Sequence, residues 1–331
     1  MARWTAWLVG HKSPSWHKEA IPQLAGASGS MVVRRLALLC LLTLLWPVRA
    51  LAAGSVALVL GDTSAAYQQF ANAFVIALKN SAVQITLVDP EQARRELPPG
   101  TQLVVAAGSL AAEALEPATF GAPLVLAMIP RTTYDRVKAQ RTVAGGVLID
   151  QPAARYVRLV RTALPEHTRI GLLAGRDSRD STQGLMAAAR EQSIKAQSES
   201  VGDEKEIYPA MQRMLGDDLV ILATPDTTIF NARTIPSILL GAFRHQVPVI
   251  GFSPAYLNAG ATVALYSSPE QIAAQTADMV RATLAGNGNP GMQYPQKFTV
   301  GVNERVARSL GLRLEDSAVI RERLEKLERQ P

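Results

Sequence analysis

Hydroxyls and carboxylates gather in this chain where short apolar runs end, the places where a folded protein can hold a small polar molecule. Residues 219–223 read LVILA and break into Thr224-Pro225-Asp226-Thr227-Thr228. The run has the pattern of a strand buried on both faces, and Pro225 stops its ladder. Thr224 offers a hydroxyl there, and Asp226 a carboxylate suited to an ammonium group. A second run, residues 247–251, opens into Phe252-Ser253-Pro254-Ala255-Tyr256, whose two rings could stack on a ligand. Three more runs end alike. Residues 56–60 lead into Gly61-Asp62-Thr63-Ser64, residues 103–107 into Gly108-Ser109, and residues 169–174 into Gly175-Arg176-Asp177-Ser178. Gly108 and Ser109 open a helix at once, so free N–H groups and a hydroxyl could cradle an anion. The candidate ligand-binding residues are therefore Thr63, Ser64, Gly108, Ser109, Asp177, Ser178, Thr224, Asp226, Phe252 and Tyr256. All but Thr224 have a plainer alternative: a turn for Thr63, Ser64 and Asp226, an N-cap for Gly108-Ser109 and for the group after residue 175, core packing for the rings.

Catalytic chemistry has little to build on. The histidines are His11, His17, His167 and His245, and none sits in a recognisable constellation. There is no G-x-S-x-G elbow, no H-E-x-x-H, no Walker loop and no G-x-G-x-x-G after a strand. No ligand cluster supports a metal. The expectation is a protein that binds rather than catalyses, without cofactor or metal.

The net charge of +6 is concentrated at the start of the 331-residue chain. Residues 1–52 carry six Lys/Arg and one acid, which leaves 28 basic against 27 acidic side chains in the remainder. A nucleic-acid partner is therefore not expected. From Met31 the chain reads Val32-Val33-Arg34-Arg35, then an apolar stretch over 36–45, then Pro47, Arg49 and Ala50-Leu51-Ala52. That is the plan of a secretory signal peptide cleaved after Ala52, which predicts the periplasm. A retained anchor would need about 20 apolar residues. Met31 competes with Met1 as the start. The single cysteine, Cys40, lies inside the apolar stretch, so neither lipidation nor a disulfide in the exported body is expected.

Beyond residue 53, apolar runs alternate with helical patterns, which means parallel sheets wound by right-handed crossovers. The rhythm restarts near residue 150 and predicts two sheets. Ser268-Pro269-Glu270-Gln271 is a strong helix start, and that helix stops at the flexible Gly286-Asn287-Gly288-Asn289-Pro290. Residues 315–331 read as a charged surface helix or tail.

Several stretches together carry a resemblance: Val105-Ala106-Ala107-Gly108-Ser109-Leu110-Ala111-Ala112, Val143-Ala144-Gly145-Gly146-Val147, residues 218–227, residues 248–253, and Val300-Gly301-Val302-Asn303 through Leu310-Gly311-Leu312. Over about residues 54–314 the chain resembles the periplasmic substrate-binding proteins of ABC importers with the type I binding-protein fold. The resemblance implies an α/β protein of two Rossmann-like lobes with parallel sheets, joined by a three-crossing hinge. The crossings would fall near residues 148–150, residue 267 and residues 287–293. Lobe one would then comprise 53–150 and 267–289, and lobe two 151–266 and 290–314. The resemblance also implies a ligand in the cleft, members of the family binding amino acids, aromatic ones among them. The expected function is capture of an amino acid or small organic anion by a monomer that presents it to an inner-membrane ABC permease. The alternative is a periplasmic sensor or interaction module with a degenerate cleft and a sensor protein as partner.

Overall fold

The computed structural model describes residues 54–176 and 178–329. The expected signal peptide, Cys40 and the candidate Asp177 lie outside the described residues. The strands are β1 (Gly54–Leu60), β2 (Val83–Val88), β3 (Leu103–Ala107), β4 (Leu124–Ile129), β5 (Gly145–Leu148), β6 (Arg169–Ala174), β7 (Lys195–Ser200), β8 (Leu219–Leu222), β9 (Val249–Gly251), β10 (Val263–Tyr266), β11 (Gly291–Gln293) and β12 (Thr299–Val302). The helices are α1 (Ala65–Leu78), α2 (Pro90–Arg95), α3 (Ser109–Leu115), α4 (Arg131–Gln140), α5 (Ala153–Ala163), α6 (Arg179–Glu191), α7 (Ile207–Met214), α8 (Ile235–Arg244), α9 (Pro254–Ala259), α10 (Pro269–Leu284), α11 (Glu304–Ser309) and α12 (Ser317–Glu328).

Two six-stranded sheets form two lobes. The first has the order β11-β5-β4-β3-β1-β2, parallel throughout. The second has the order β12-β10-β9-β8-β6-β7, parallel except for the β10–β12 pair. Central strands such as β3 and β8 are buried along their whole length, as helices on both faces of a parallel sheet require. The edge strand β2 is largely exposed.

On one face of the first sheet, Phe70 and Phe74 of α1 stack at 5.8 Å and pack with Ile272, Met279 and Val280 of α10. The chain thus returns from the second lobe to complete the core of the first. Ser268 caps α10 through the full capping box expected from its sequence, with Gln271 reciprocating.

Two boundaries differ from expectation. Residues 291–293 pair in parallel with β5 and so extend the first sheet, which moves the third crossing from residues 287–293 to residues 294–298. The free edge of β5 recruits a strand that Gly and Pro in the sequence had suggested was only a connection. The expected C-terminal surface helix forms, but it belongs to the second lobe. Ile320 and Leu324 of α12 are fully buried in the core of the second lobe with Tyr156, Val160 and Phe298. Burial on this scale contributes about 1.5–3 kcal/mol for each side chain.

Candidate ligand cleft

Every parallel strand ends on the edge where the chain crosses between lobes, because β5 runs directly into the first crossing (residues 149–152) and β10 into the second (residues 267–268). In open α/β sheets that edge is where ligands bind. A small cavity of about 60 Å³ lies there. Its walls come from both lobes and the hinge: Arg131 at the start of α4, Asp150 in the first crossing, Tyr156 of α5, Asp180 in the first turn of α6, Thr224 after β8, and Tyr294 in the third crossing.

The polar groups of this cavity are unevenly satisfied. Asp150 Oδ2 accepts the Arg131 backbone N–H at 2.8 Å. Burial nevertheless pushes the Asp150 acid from an ordinary 3.8 up to about 6, opposed only in part by that N–H, by its own backbone N–H and by the Arg131 charge. The Arg131 guanidinium donates to Tyr294 OH at 3.1 Å and to Asp135 at 3.3 Å. By contrast Tyr156 OH and Thr224 Oγ1 are buried and have no hydrogen-bond partner among the described residues. The Gln151 N–H approaches Tyr156 OH without completing a bond. Burial also raises the Tyr156 phenol, with the Asp150 charge adding to the effect, so it stays protonated and able to donate.

Behind the cavity, one hydrogen-bonded chain links all three crossings. Gln151 Nε2 donates to Ser267 Oγ at 3.0 Å, and Ser267 Oγ donates to the Lys297 carbonyl at 2.6 Å. Arg155, only 5 % exposed, anchors this chain. It donates to Gln151 Oε1 at 2.7 Å and to the Pro295 carbonyl at 2.9 Å, forms a two-point ion pair with Glu328 of α12, and lies over the Phe298 ring at 4.4 Å. The hinge is thus a defined polar structure.

Of the residues singled out by sequence, Thr224 lines the cavity. Asp226 sits just behind it with its carboxylate committed: Oδ2 accepts the Gly175 N–H and Oδ1 the Thr228 N–H, each at 3.0 Å. A Cβ on Gly175 would stand 2.5 Å from that Oδ2, so only glycine allows the approach. Ser178 is buried and donates to the Gly175 carbonyl at 3.4 Å. The Gly108 cradle is filled from within the chain. With φ at +98° Gly108 lets the Tyr67 ring lie on its backbone, where a Cβ would meet the Tyr67 hydroxyl at 2.2 Å. Its N–H donates to the Ala127 carbonyl at 2.8 Å, while the Ser109 hydroxyl pairs with that of Thr133 at 3.2 Å. Thr63 and Ser64 are exposed in a turn, the Ser64 N–H donating to Asp62 at 2.7 Å. Tyr256 is a core residue: its hydroxyl donates to the Phe230 carbonyl at 3.4 Å and its ring meets that of Phe252 at 4.6 Å.

Sequence reasoning passed over Arg131, Asp150, Tyr156 and Tyr294. One local signal was available. Arg131 opens a helix whose positive dipole end disfavours a cation, a placement that asks for another reason. Larger open grooves exist, for example along residues 91–99, but they lie away from the strand tips.

Residues 85–323 match the family described as ABC transporter substrate binding protein. The chain belongs to that family. A search of curated proteins finds no match. Among solved structures, a conserved domain protein from Vibrio cholerae is similar with a TM-score of 0.60 at 21 % identity, over 81 % of this chain and 98 % of that one. An ABC domain in complex with L-Trp from Streptococcus pneumoniae gives 0.59 at 18 % identity, over 81 % and 98 %. A ligand-free, open substrate-binding protein with adhesive properties from Clostridium difficile gives 0.60 at 16 %, over 80 % and 96 %. These likenesses establish the type I binding-protein fold for this member of the substrate-binding family.

Proposed function

We propose that the protein is an exported solute-binding protein that holds a small polar ligand, an amino acid or small organic anion, between its lobes and presents the closed form to an inner-membrane ABC permease. The observation that carries this reading is the pair of buried hydroxyls, Tyr156 and Thr224, without partners among the described residues, in a cavity at the meeting of both lobes. A buried polar group left unsatisfied costs about 1–3 kcal/mol. Two in one cavity make sense where an incoming molecule completes them. The signal-like segment before residue 53 and the family support export, and the pneumococcal relative's bound L-Trp supports the amino-acid class.

At about 60 Å³ the cavity has room for a few waters and for no whole amino acid. Entry therefore requires the lobes to part about the hinge and close again, a motion the ligand drives by giving both lobes partners at once. A thermal-shift screen of amino acids and small organic acids tests the reading. A ligand at 100 times its Kd adds about 2.7 kcal/mol, a rise of roughly 5 °C or more for a body of this size. The cavity's small size favours one rival, a sensor or interaction module with a degenerate cleft, which would show no shift for any compound.

A further inference from the structure

We infer that the outer edge of the first sheet, strand β2, is a dimerisation surface: a second copy of this chain pairs its own β2 there, antiparallel across a two-fold axis, in place of the monomer expected from sequence. The edges of the two sheets are β11, β2, β12 and β7. β11 and β12 are three and four residues long, and β7 carries Lys195 and Glu199. Short strands and charges are the devices that keep a sheet edge from pairing with other chains. β2, six residues reading VQITLV, has neither, and no proline. Among the described residues it pairs with β1 alone.

Its backbone sets the register of the pairing. The Gly54 N–H donates to the Ala82 carbonyl at 2.6 Å, and Gly54 lies opposite Val83. By the alternation of a strand, Gln84 and Thr86 turn their backbone groups toward β1, and Val83, Ile85 and Leu87 turn theirs outward. The Val83 N–H is taken locally by the Ser81 carbonyl at 2.7 Å, so the complete outward set belongs to Ile85 and Leu87. A two-fold axis through Thr86 lets Ile85 of each copy exchange both bonds with Leu87 of the other. It also sets the two Thr86 side chains against each other.

The side chains fit the same register. Ile85 and Leu87 lie on one face of the sheet, where Ile85 packs against the core under α1 and Leu87 is left 60 % exposed. Pairing makes them cross-strand neighbours on each side of the axis, which covers that leucine. The apolar surface continues onto α1, which exposes Val75 and Ile76. Charge selects a second copy in antiparallel sense. Exposed Lys79 precedes β2, and exposed Asp89 and Glu91 follow it, so each basic end meets the acidic end of the other copy. β1, β3 and β4 stand between β2 and β5, which puts the edge about 20 Å from the hinge side of the sheet. Both clefts stay free to open in the dimer, and the inference is independent of what they hold.

The test is analytical ultracentrifugation of the purified protein from about 1 to 100 µM, a range that brackets a micromolar Kd. The expected result is a reversible dimer. Leu87→Lys should weaken it by about 10- to 100-fold, the worth of one covered leucine, while Leu240→Lys, on exposed α8 of the second lobe, should leave it unchanged. Thr86→Lys and Thr86→Glu should each be monomeric alone, because like charges then face each other across the axis, and their equimolar mixture should form a one-to-one heterodimer. Circular dichroism of each variant shows that it is folded, and the mixture decides the matter because a merely damaged strand is not rescued by mixing. A monomer at the highest concentration, a dimer indifferent to Leu87→Lys and Thr86→Lys, or a mixture that stays monomeric would overturn the inference. So would an edge that takes up only the strand of a different protein.

Discussion

Replacing Asp150 by asparagine should make the empty protein more stable, the opposite of what mutation of a half-buried, hydrogen-bonded side chain usually does. Asp150 sits in the first crossing, where burial holds its acid near 6 against an ordinary 3.8. Between those two pH values the folded state keeps a proton that the unfolded chain has released. Stability therefore falls as pH rises through that window, and above about pH 7 the folded state carries the full cost of a partly desolvated carboxylate. That cost is about 3 kcal/mol. Asparagine keeps an oxygen for the Arg131 N–H, which Asp150 accepts at 2.8 Å, and it carries no charge. Urea denaturation followed by circular dichroism should show the variant about 3 kcal/mol more stable at pH 7.5 and level with the parent near pH 4, with unchanged m-values. Equal stability of the two proteins at both pH values would refute the assignment of a strained, desolvated carboxylate to this position.

The remaining expectations concern the hydroxyls, the hinge and one glycine. Tyr156→Phe and Thr224→Val each remove an unsatisfied buried hydroxyl, so each should leave the empty protein as stable or up to about 2 kcal/mol more so by urea denaturation; a loss above 1 kcal/mol would mean the hydroxyls have partners. Glu328→Gln breaks the ion pair to Arg155, whose side chain is 6 % exposed against 22 % for Glu328. Because Arg155 keeps Gln151 and the Pro295 carbonyl, the cost should be about 2–4 kcal/mol, toward the lower end of what a broken buried pair costs, and indifference to the change would show that α12 is not coupled to the hinge. Gly175→Ala places a methyl 2.5 Å from Asp226 Oδ2 and should cost about 1–3 kcal/mol, measured as a lower melting temperature.

Much of the architecture was legible because the apolar runs are short, uninterrupted and bounded by small polar residues. β3 and β8 could hardly be read otherwise, and Ser268 announces α10 by cap chemistry that the structure reproduces atom for atom. The failures share one cause, structure that depends on a distant partner. Residues 291–293 have no strand pattern of their own and pair only because β5 offers an edge. The charges of α12 conceal that two buried side chains, Ile320 and Leu324, suffice to dock it.

The cleft was harder to read than the sheets for the same reason. Strand ends name the right edge but not the right residues along it. Thr224 emerged because it follows a strand directly. Arg131, Asp150, Tyr156 and Tyr294 are scattered across more than 160 positions and meet only through the crossings. Asp226 shows the converse: a carboxylate in a promising turn whose oxygens turn inward to join β6 and β8.

The most direct measurement is a crystal structure of the protein with the compound that raises its melting temperature most. Density touching both Arg131 at the start of α4 in the first lobe and Thr224 beyond β8 in the second is the expected result. A compound bound to one lobe alone, or outside the cleft while these residues face only water, would contradict capture between the lobes.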